Sequence, residues 1–483
     1  MFFQKTSSFT TRAILVAGCL LFAVAFVSSF FTAFAVFGSA ITLIVGVVTV
    51  FILLVAASSF INRYLSKKWF LISLIAVSLL TRITWVLAFN TPPASDFSTM
   101  YTAAVSAAAG DFSFKDSEYF SAWVYQIGFT MYEALIVKLF DHPILVLKLI
   151  HVVFSVGTIL LIYAAASAIF NEKCGRIASL LYAFYIPNII MCSVLTNQHL
   201  STFFFMLGCV LILHKGWDAK YRWILIGLSF GIGHIMRPLG GVFIAALIAY
   251  ILIIELLPSI NKKVWSISAK LIGSIIIFYL LQSLVSSAFM SAGYTNHPLS
   301  NREPYWKFMV GLNAETDGRW SMEDAKHVLQ YKLGEERDQA ELAIIKERLS
   351  DPSAVAALFA KKLSVFWGAT DDSVYWSLSE LNRPDLSSTL QSIERIMFIL
   401  MSGFGVLSLI ALFRKGLKQP QPLFFVILLL GYTAIHLIIE IQSRYRLDVI
   451  PAFIVMQSYG IYMISNDVQR LFKSKHKPLP MQM

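Results

Sequence analysis

The chain reads as an all-α polytopic membrane protein with about 12 transmembrane helices and external amphipathic helices, each span needing about 20 apolar residues. Three observations carry that reading. Of 483 residues, 57% are hydrophobic and 14% charged, and mean hydropathy is +0.69, whereas soluble domains carry roughly a quarter charged residues. Apolar runs of spanning length recur along the sequence. The net charge of +11 is spread over the short gaps between those runs, as topology signals are. It does not gather on one soluble face, so nucleic acid is not expected as a partner.

Taken in order, the expected spans fall near 14–34, 38–59, 69–89, 144–168, 177–195, 199–214, 222–237, 239–257, 265–289, 392–414, 422–440 and 447–466. The first apolar run follows Lys5 and Arg12 and continues from Ala13 to Phe60. It is too long for a signal peptide and fits a helical hairpin. Basic residues mark alternate gaps: Arg63, Lys67 and Lys68; Lys173 and Arg176; Lys215, Lys220 and Arg222; Lys262 and Lys263; Arg414, Lys415 and Lys418; Arg470, Lys473, Lys475 and Lys477. All fall on one side of the expected topology. The positive-inside rule makes that side the cytoplasm, with both termini there. The expected location is an integral plasma (inner) membrane. Cys19, Cys174, Cys192 and Cys209 show no motif spacing and read as small core residues.

This organises the chain into five parts: an N-terminal transmembrane hairpin with its cytoplasmic loop (1–68), a core transmembrane domain (69–290), an external helical segment (291–391), C-terminal transmembrane helices (392–466) and a basic tail (467–483). The core domain includes a polar external loop at 90–143. In the external segment, Ser321-Met322-Glu323-Asp324 resembles a capping box, predicting a helix to about Leu349. Asp351-Pro352 ends it, and Ala354 to Trp367 is an amphipathic helix. Lys361, Lys362 and Trp367 suit it to the membrane surface.

Three outer positions carry chemistry. Asp96 follows Pro92-Pro93, where an N-cap is the simplest reading. A carboxylate in a water-poor cleft beside aromatic rings also suits a general base. Glu440 to Arg446 places Arg444 and Arg446 on the outer side, where the topology rule disfavours arginine. Pairing with Glu440 or Asp448 explains them, as does a bidentate grip on phosphate. Arg237-Pro238 breaks two spans at the same face, one turn after His234. It suits either a polar ligand or the carbonyls that proline frees. Tyr101, Asp111, Tyr125, Asn197, Gln198, His199 and Glu440 are candidate substrate contacts. Trp320, Trp367 and Trp376 suit sugar stacking or interface anchoring. No Walker loop, dinucleotide-binding glycine motif or HExxH occurs, which removes nucleotide chemistry from consideration. Asp96, Asp111 and Glu118 offer oxygens to a divalent ion, but no cofactor or metal is expected.

Together these stretches resemble a known family. Ser95-Asp96-Phe97 with Tyr101 and Ala104, then Gly110-Asp111-Phe112, is similar to the first external loop of multi-spanning C-fold glycosyltransferases, in the group of protein mannosyltransferases and aminoarabinose transferases. Ile169 to Leu207 with Pro187, Arg237-Pro238, Gly311-Leu312-Asn313, Gly318-Arg319-Trp320 with Asp324, and Ser443 to Leu447 with Pro451 resemble later motifs of that group. The resemblance runs from Leu71 to Met463. It implies a polyprenyl-phosphate sugar donor from the outer leaflet, Asp96 as catalytic base, and external basic residues near the donor phosphate. Arg444 would hold that phosphate, with Arg446 or Arg237. Inversion at the anomeric carbon would transfer the sugar to an envelope glycan, lipid or protein outside the cytoplasm. The chain departs from the pattern in its two extra N-terminal spans, in Tyr125-Gln126-Ile127-Gly128 where many members have Tyr-Pro-Pro, and in Asn197-Gln198-His199 where many have an acidic residue. One alternative is a polysaccharide ligase or polymerase using His297, Arg302 and Arg319. The other is a lipid or oligosaccharide transporter, against which the spans show no matched halves.

Overall fold

A computed structural model gives the fold of residues 2–213, 220–256, 263–417 and 419–475, with side chains described for all of these except 2–8, 263 and 469–475. The expected topology markers Lys5, Lys215, Lys262, Lys263, Lys418, Arg470, Lys473, Lys475 and Lys477, and the end of the basic tail, therefore lie outside the described residues or side chains. Regular structure among the described residues is helical. Its one extended pairing is an isolated bridge between Trp123 and Asn301.

Helices α1 (Phe2–Phe37), α2 (Ala40–Tyr64) and α3 (Lys67–Ala88) lead to the polar loop. That loop forms α4 (Ser95–Ala108), α5 (Glu118–Ala122) and α6 (Ile127–Leu139). The core continues with α7 (Pro143–Ile169), α8 (Glu172–Phe184), α9 (Ile186–Ile190), α10 (Gln198–Leu213), α11 (Arg222–Met236), α12 (Gly240–Ile251) and α13 (Lys263–Ser291). The external segment holds α14 (Trp306–Gly311), α15 (Met322–Val328), α16 (Glu335–Arg348), α17 (Pro352–Gly368) and α18 (Ser373–Leu378). The last three helices are α19 (Pro384–Lys415), α20 (Pro422–Ile438) and α21 (Ile450–Lys475).

Within the described residues each expected span overlaps a helix, 177–195 being divided between α8 and α9, but the expected count of about 12 spanning helices is not reached by length and composition. Among the described residues six helices are long and apolar enough to cross a membrane, and a seventh if the pair Glu172–Phe184 and Ile186–Ser193, bent by 58°, is one span. Helices α10, α11 and α20 and the segment 240–256 are apolar but shorter. The shortening has a cause at the functional end, where α11 stops at Arg237-Pro238 and α20 stops before Glu440.

Helix α1 is not peripheral. It packs against α19, α17 and α20, and Phe22 stacks on Phe453 at 4.1 Å. The bend at Pro187 leaves Ala183 O without the donor four residues on, while Tyr182 O keeps the Tyr185 N–H of the helix end. Arg82, fully buried in α3, donates to both, Ala183 O at 3.1 Å and Tyr182 O at 3.4 Å, and to Ser155 Oγ at 2.7 Å. An intramembrane arginine is tolerated because it satisfies the broken backbone.

Two expectations for the external segment change. Ser321 Oγ does accept from Asp324 N at 3.2 Å, but the helix it starts ends at Val328. The chain then turns through Gly334, at φ 112°, into α16. Arg348 closes this hairpin on Asp324 at 2.6 Å. Asp351 caps α17 with Pro352 in the first turn, as its sequence predicts. Two of the residues that suited it to a membrane surface, Lys362 and Trp367, are instead fully buried against the protein. Trp367 Nε1 donates to Thr433 at 3.1 Å, and α17 packs into the bundle against α1 and α20.

Candidate active site

The polar cluster is built from four distant segments that meet at one end of the bundle. The first is the start of α4. Pro92-Pro93 keeps the chain extended, Ala94 occupies the cap without a side-chain bond, and Ser95 sits at φ 49°. A non-glycine residue there stores about 1–3 kcal/mol of strain, a cost that clusters at functional sites. Asp96 is therefore not the cap. Its carboxyl lines a cavity of about 470 Å³.

The second segment is the turn after α20. It is pinned by main chain, with Glu440 N donating to Lys307 O at 2.8 Å and Ile441 N to Gly318 O at 2.9 Å. Lys362 Nζ joins both stretches, donating to Gly311 O at 2.6 Å and Ile439 O at 2.8 Å. This close approach explains two glycines. A Cβ on Gly311 would lie 2.3 Å from the Ile439 carbonyl carbon, and Gly318 needs φ 75°. Beyond it, Ser443 to Asp448 forms a 3₁₀ turn, bonded to Asp372 through Ser443 N at 3.0 Å.

The two arginines of that turn have opposite fates. Arg446 is fully buried and spent on the protein. It pairs with Asp371 at 3.2 Å and donates to the carbonyls of Ser443, Trp367 and Ala369. It does not line the cavity, and all three of its nitrogens donate within the protein. Arg444 does line it. Its guanidinium stacks over Trp376 at 4.4 Å and Phe97 at 5.2 Å. Nε donates to Gln442 Oε1 at 2.7 Å, and Gln442 Nε2 donates to Glu440 Oε1 at 2.8 Å. Arg444 Nη1 is buried with no hydrogen-bond partner in the protein. A guanidinium at a cavity wall with donors not used by the protein can bind an anion.

Arg237, at the α11–α12 break, also faces the cavity, but a carboxylate compensates it. Its Nε bonds Asp448 Oδ2 at 3.1 Å and its Nη1 bonds Asn197 Oδ1 at 3.2 Å, so it serves side chains and not the carbonyls freed by Pro238. Gln198 sits behind the wall, donating to Arg444 O at 3.1 Å and Asp448 Oδ1 at 3.4 Å. Tyr125, Asn197 and Glu440 line the cavity as well.

Other expected contacts are elsewhere. Tyr101 packs with the Ile136, Leu147 and Leu195 cluster. Asp111 accepts from Ser113 N at 2.9 Å in an exposed turn. His199 lies in α10 with its ring 5.5 Å from His151. Arg302 donates to Ser121 O at 3.1 Å, and His297, Arg302 and Arg319 do not line the cavity. Asp111 and Glu118 do not join Asp96 there either, and no metal-holding group of three or more such residues occurs among the described residues.

The sequence reading missed Lys307, whose ammonium lies over the Tyr445 ring at 5.7 Å. It also missed the indoles of Trp123 and Trp306 that share the wall. A lone lysine in a polar segment gives no signal of its own; only Glu440 N pairing with its carbonyl brings it in. Burial raises the Asp96 carboxyl above its ordinary range, Arg444 pulls it back, and Glu440 pushes it further up. Burial lowers the Lys307 ammonium, which Glu440 partly offsets. A carboxyl lifted in this way is a better base near neutrality than a free one.

Comparison with known proteins agrees with the motifs. Residues 128–282, which are 155 of 483, match the family model of dolichyl-phosphate-mannose-protein mannosyltransferases. No curated protein matches at a significant level. Among solved structures, the archaeal oligosaccharyltransferase AglB from Archaeoglobus fulgidus, in complex with an inhibitory peptide and a dolichol-phosphate, is 12% identical with TM-score 0.46, over 86% of this chain and 53% of that one. The Archaeoglobus fulgidus oligosaccharyltransferase in its apo form is 12% identical with TM-score 0.48, over 85% and 52%. The chain thus spans about half the length of these structures. The matched segment and the resemblance read from the sequence lead to the same group, the integral-membrane C-fold glycosyltransferases.

Proposed function

We propose that the protein transfers a sugar from a polyprenyl-phosphate donor to an acceptor hydroxyl at the outer face of the membrane. The observation that carries this is one cavity lined by both Asp96 and Arg444, whose Nη1 has no hydrogen-bond partner in the protein. Asp96 takes the proton from the acceptor hydroxyl as its oxygen attacks the anomeric carbon. The new C–O bond forms as the old bond to phosphate breaks, and the phosphate departs with the electron pair. Attack and departure on opposite sides of the carbon invert its configuration. Arg444, with Lys307, stabilises the charge growing on the leaving phosphate. Arg237 is held to Asp448 and contributes field more than contact. Sidedness rests on the basic gaps at the other end of the bundle. A phosphate-bearing lipid would reach Arg444 from the bilayer with its chain still in the membrane.

The test is transfer by the purified full chain from radiolabelled polyprenyl-phosphate mannose, the sugar in the family's description, to envelope extracts. Asp96→Asn should abolish transfer while donor binding persists. Full transfer by that variant would exclude Asp96 as the base.

A further inference from the structure

Beside the first cavity lies a second, of about 320 Å³, within the size range of small-molecule sites. The two share a wall of three indoles, Trp123, Trp306 and Trp320. The wall is firmly built. Trp123 bridges to Asn301, Trp306 belongs to a small core with Val310 and Val328, and Trp320 remains 49% exposed. At the far side Arg337 engages one oxygen of Glu118 at 2.5 Å and one of Glu303 at 3.1 Å. Glu303 is buried, while the Glu118 side chain is 56% exposed. The reaction proposed above uses none of these groups.

The indoles, with Ala122, Ala325, Val328 and Leu329, make a largely apolar lining, and Glu118, Glu303 and Arg337 are its charged members. An indole offers a flat, electron-rich face and few hydrogen bonds. A pyranose ring offers the complement, a patch of axial C–H groups on one face and hydroxyls in its plane. A hydroxyl at the edge of such a ring can meet Glu118, whose second oxygen Arg337 does not use. The position matters as much as the chemistry. A group held on these indoles is one wall away from Asp96 and so extends from whatever hydroxyl faces that carboxyl.

We propose that the second cavity is an acceptor subsite for a saccharide, seating the sugar ring next to the one that is glycosylated. The acceptor is then a glycan, not a bare polypeptide or an acyl lipid. This rests on the transferase reading and narrows it. Trp320 is the specificity-determining residue, because it is the exposed member of the wall and closes both cavities.

The experiment is saturation-transfer NMR on the full chain in nanodiscs with mannotriose, maltotriose and chitotriose as probes. Trp320→Ala and the cavity-filling Ala325→Trp are the variants. At least one trisaccharide should show transfer that falls fivefold or more in both. In the donor assay, both variants should raise the KM of a glycan acceptor about tenfold, and Ala325→Trp, at a position that does not line the first cavity, should do so while release of sugar to water stays unchanged. No saccharide binding, binding equal in all three proteins, or competition by an apolar peptide or palmitate in place of saccharide would overturn the subsite. Loss of sugar release to water in Arg444→Ala, with Trp320→Ala without effect, would spare the transferase reading and remove only the subsite. If sugar release to water survives Arg444→Ala, the transferase reading itself falls.

Discussion

Replacing Arg444 by alanine removes the guanidinium in the cavity that has no carboxylate paired to it among the described residues. Wild-type Arg444 enters the reaction already oriented. Gln442 fixes Nε at 2.7 Å, and the plane is clamped by Trp376 and Phe97. The guanidinium therefore meets a phosphate with little loss of rotamer freedom. A hydrogen bond to a charged group contributes about 1.5–3 kcal/mol. At 1.36 kcal/mol per decade, one such bond is roughly 10- to 150-fold in kcat/KM for the donor. Alanine should therefore lower donor kcat/KM by about two orders of magnitude. Arg444→Lys should fall between, because an ammonium keeps charge but has no fork to hold both Gln442 and the phosphate. The assay is sugar release from radiolabelled donor at several donor concentrations, with melting temperature as the folding control. An Arg444→Ala protein of normal melting temperature and donor kcat/KM within threefold of wild type would refute the phosphate assignment.

Asp96→Asn should cost about 10²- to 10⁴-fold in transfer. In the wild type the acidic limb of the pH–rate profile should lie above the ordinary carboxylate range, since burial raises that carboxyl; a limb below it would contradict the base role. Asp371→Ala leaves Arg446 as an uncompensated buried charge and should cost about 3–5 kcal/mol of stability. The double replacement Arg446→Met with Asp371→Leu should recover most of the melting temperature and of donor turnover, and a double variant that melts normally but has lost turnover would return Arg446 to the phosphate site. Burial pushes the Glu341 carboxyl, in α16, up to about 8 from 4.5. A raised carboxyl stabilises the folded state fully below about 4.5 and loses that contribution as pH rises past about 8. Limited proteolysis of the α15–α16 hairpin should be faster at pH 9 than at pH 6, and Glu341→Gln should abolish the difference; an unchanged difference would assign the effect to other groups.

The helices were legible because lipid solvent enforces long apolar runs, and the break at Arg237-Pro238 because proline leaves a local mark. Asp96 stood out as a carboxylate after two prolines, although the local signal pointed to a cap. Only the geometry of Ala94 and Ser95 shows that the capping position belongs to another residue. What the sequence left undivided was the pair Arg444 and Arg446. They are two residues apart in the same polar turn, and their roles separate only through Asp371 and Gln442, one of which lies 75 residues away. Lys362 shows the same limit. Its charge suggested a surface, yet two carbonyls from separate stretches of chain take it into the interior.

The segments 307–318 and 439–441 are sewn together by main chain, with Lys362 across the seam. The positions of Lys307 and Glu440 are thus fixed by peptide geometry, and their side chains have only short distances left to travel. The work of organising the basic wall is done once, when the chain folds, and is not repeated at each turnover. Substrate binding then carries little ordering cost, and charge-altering replacements at 307 or 440 should change the field in the cavity without changing its shape.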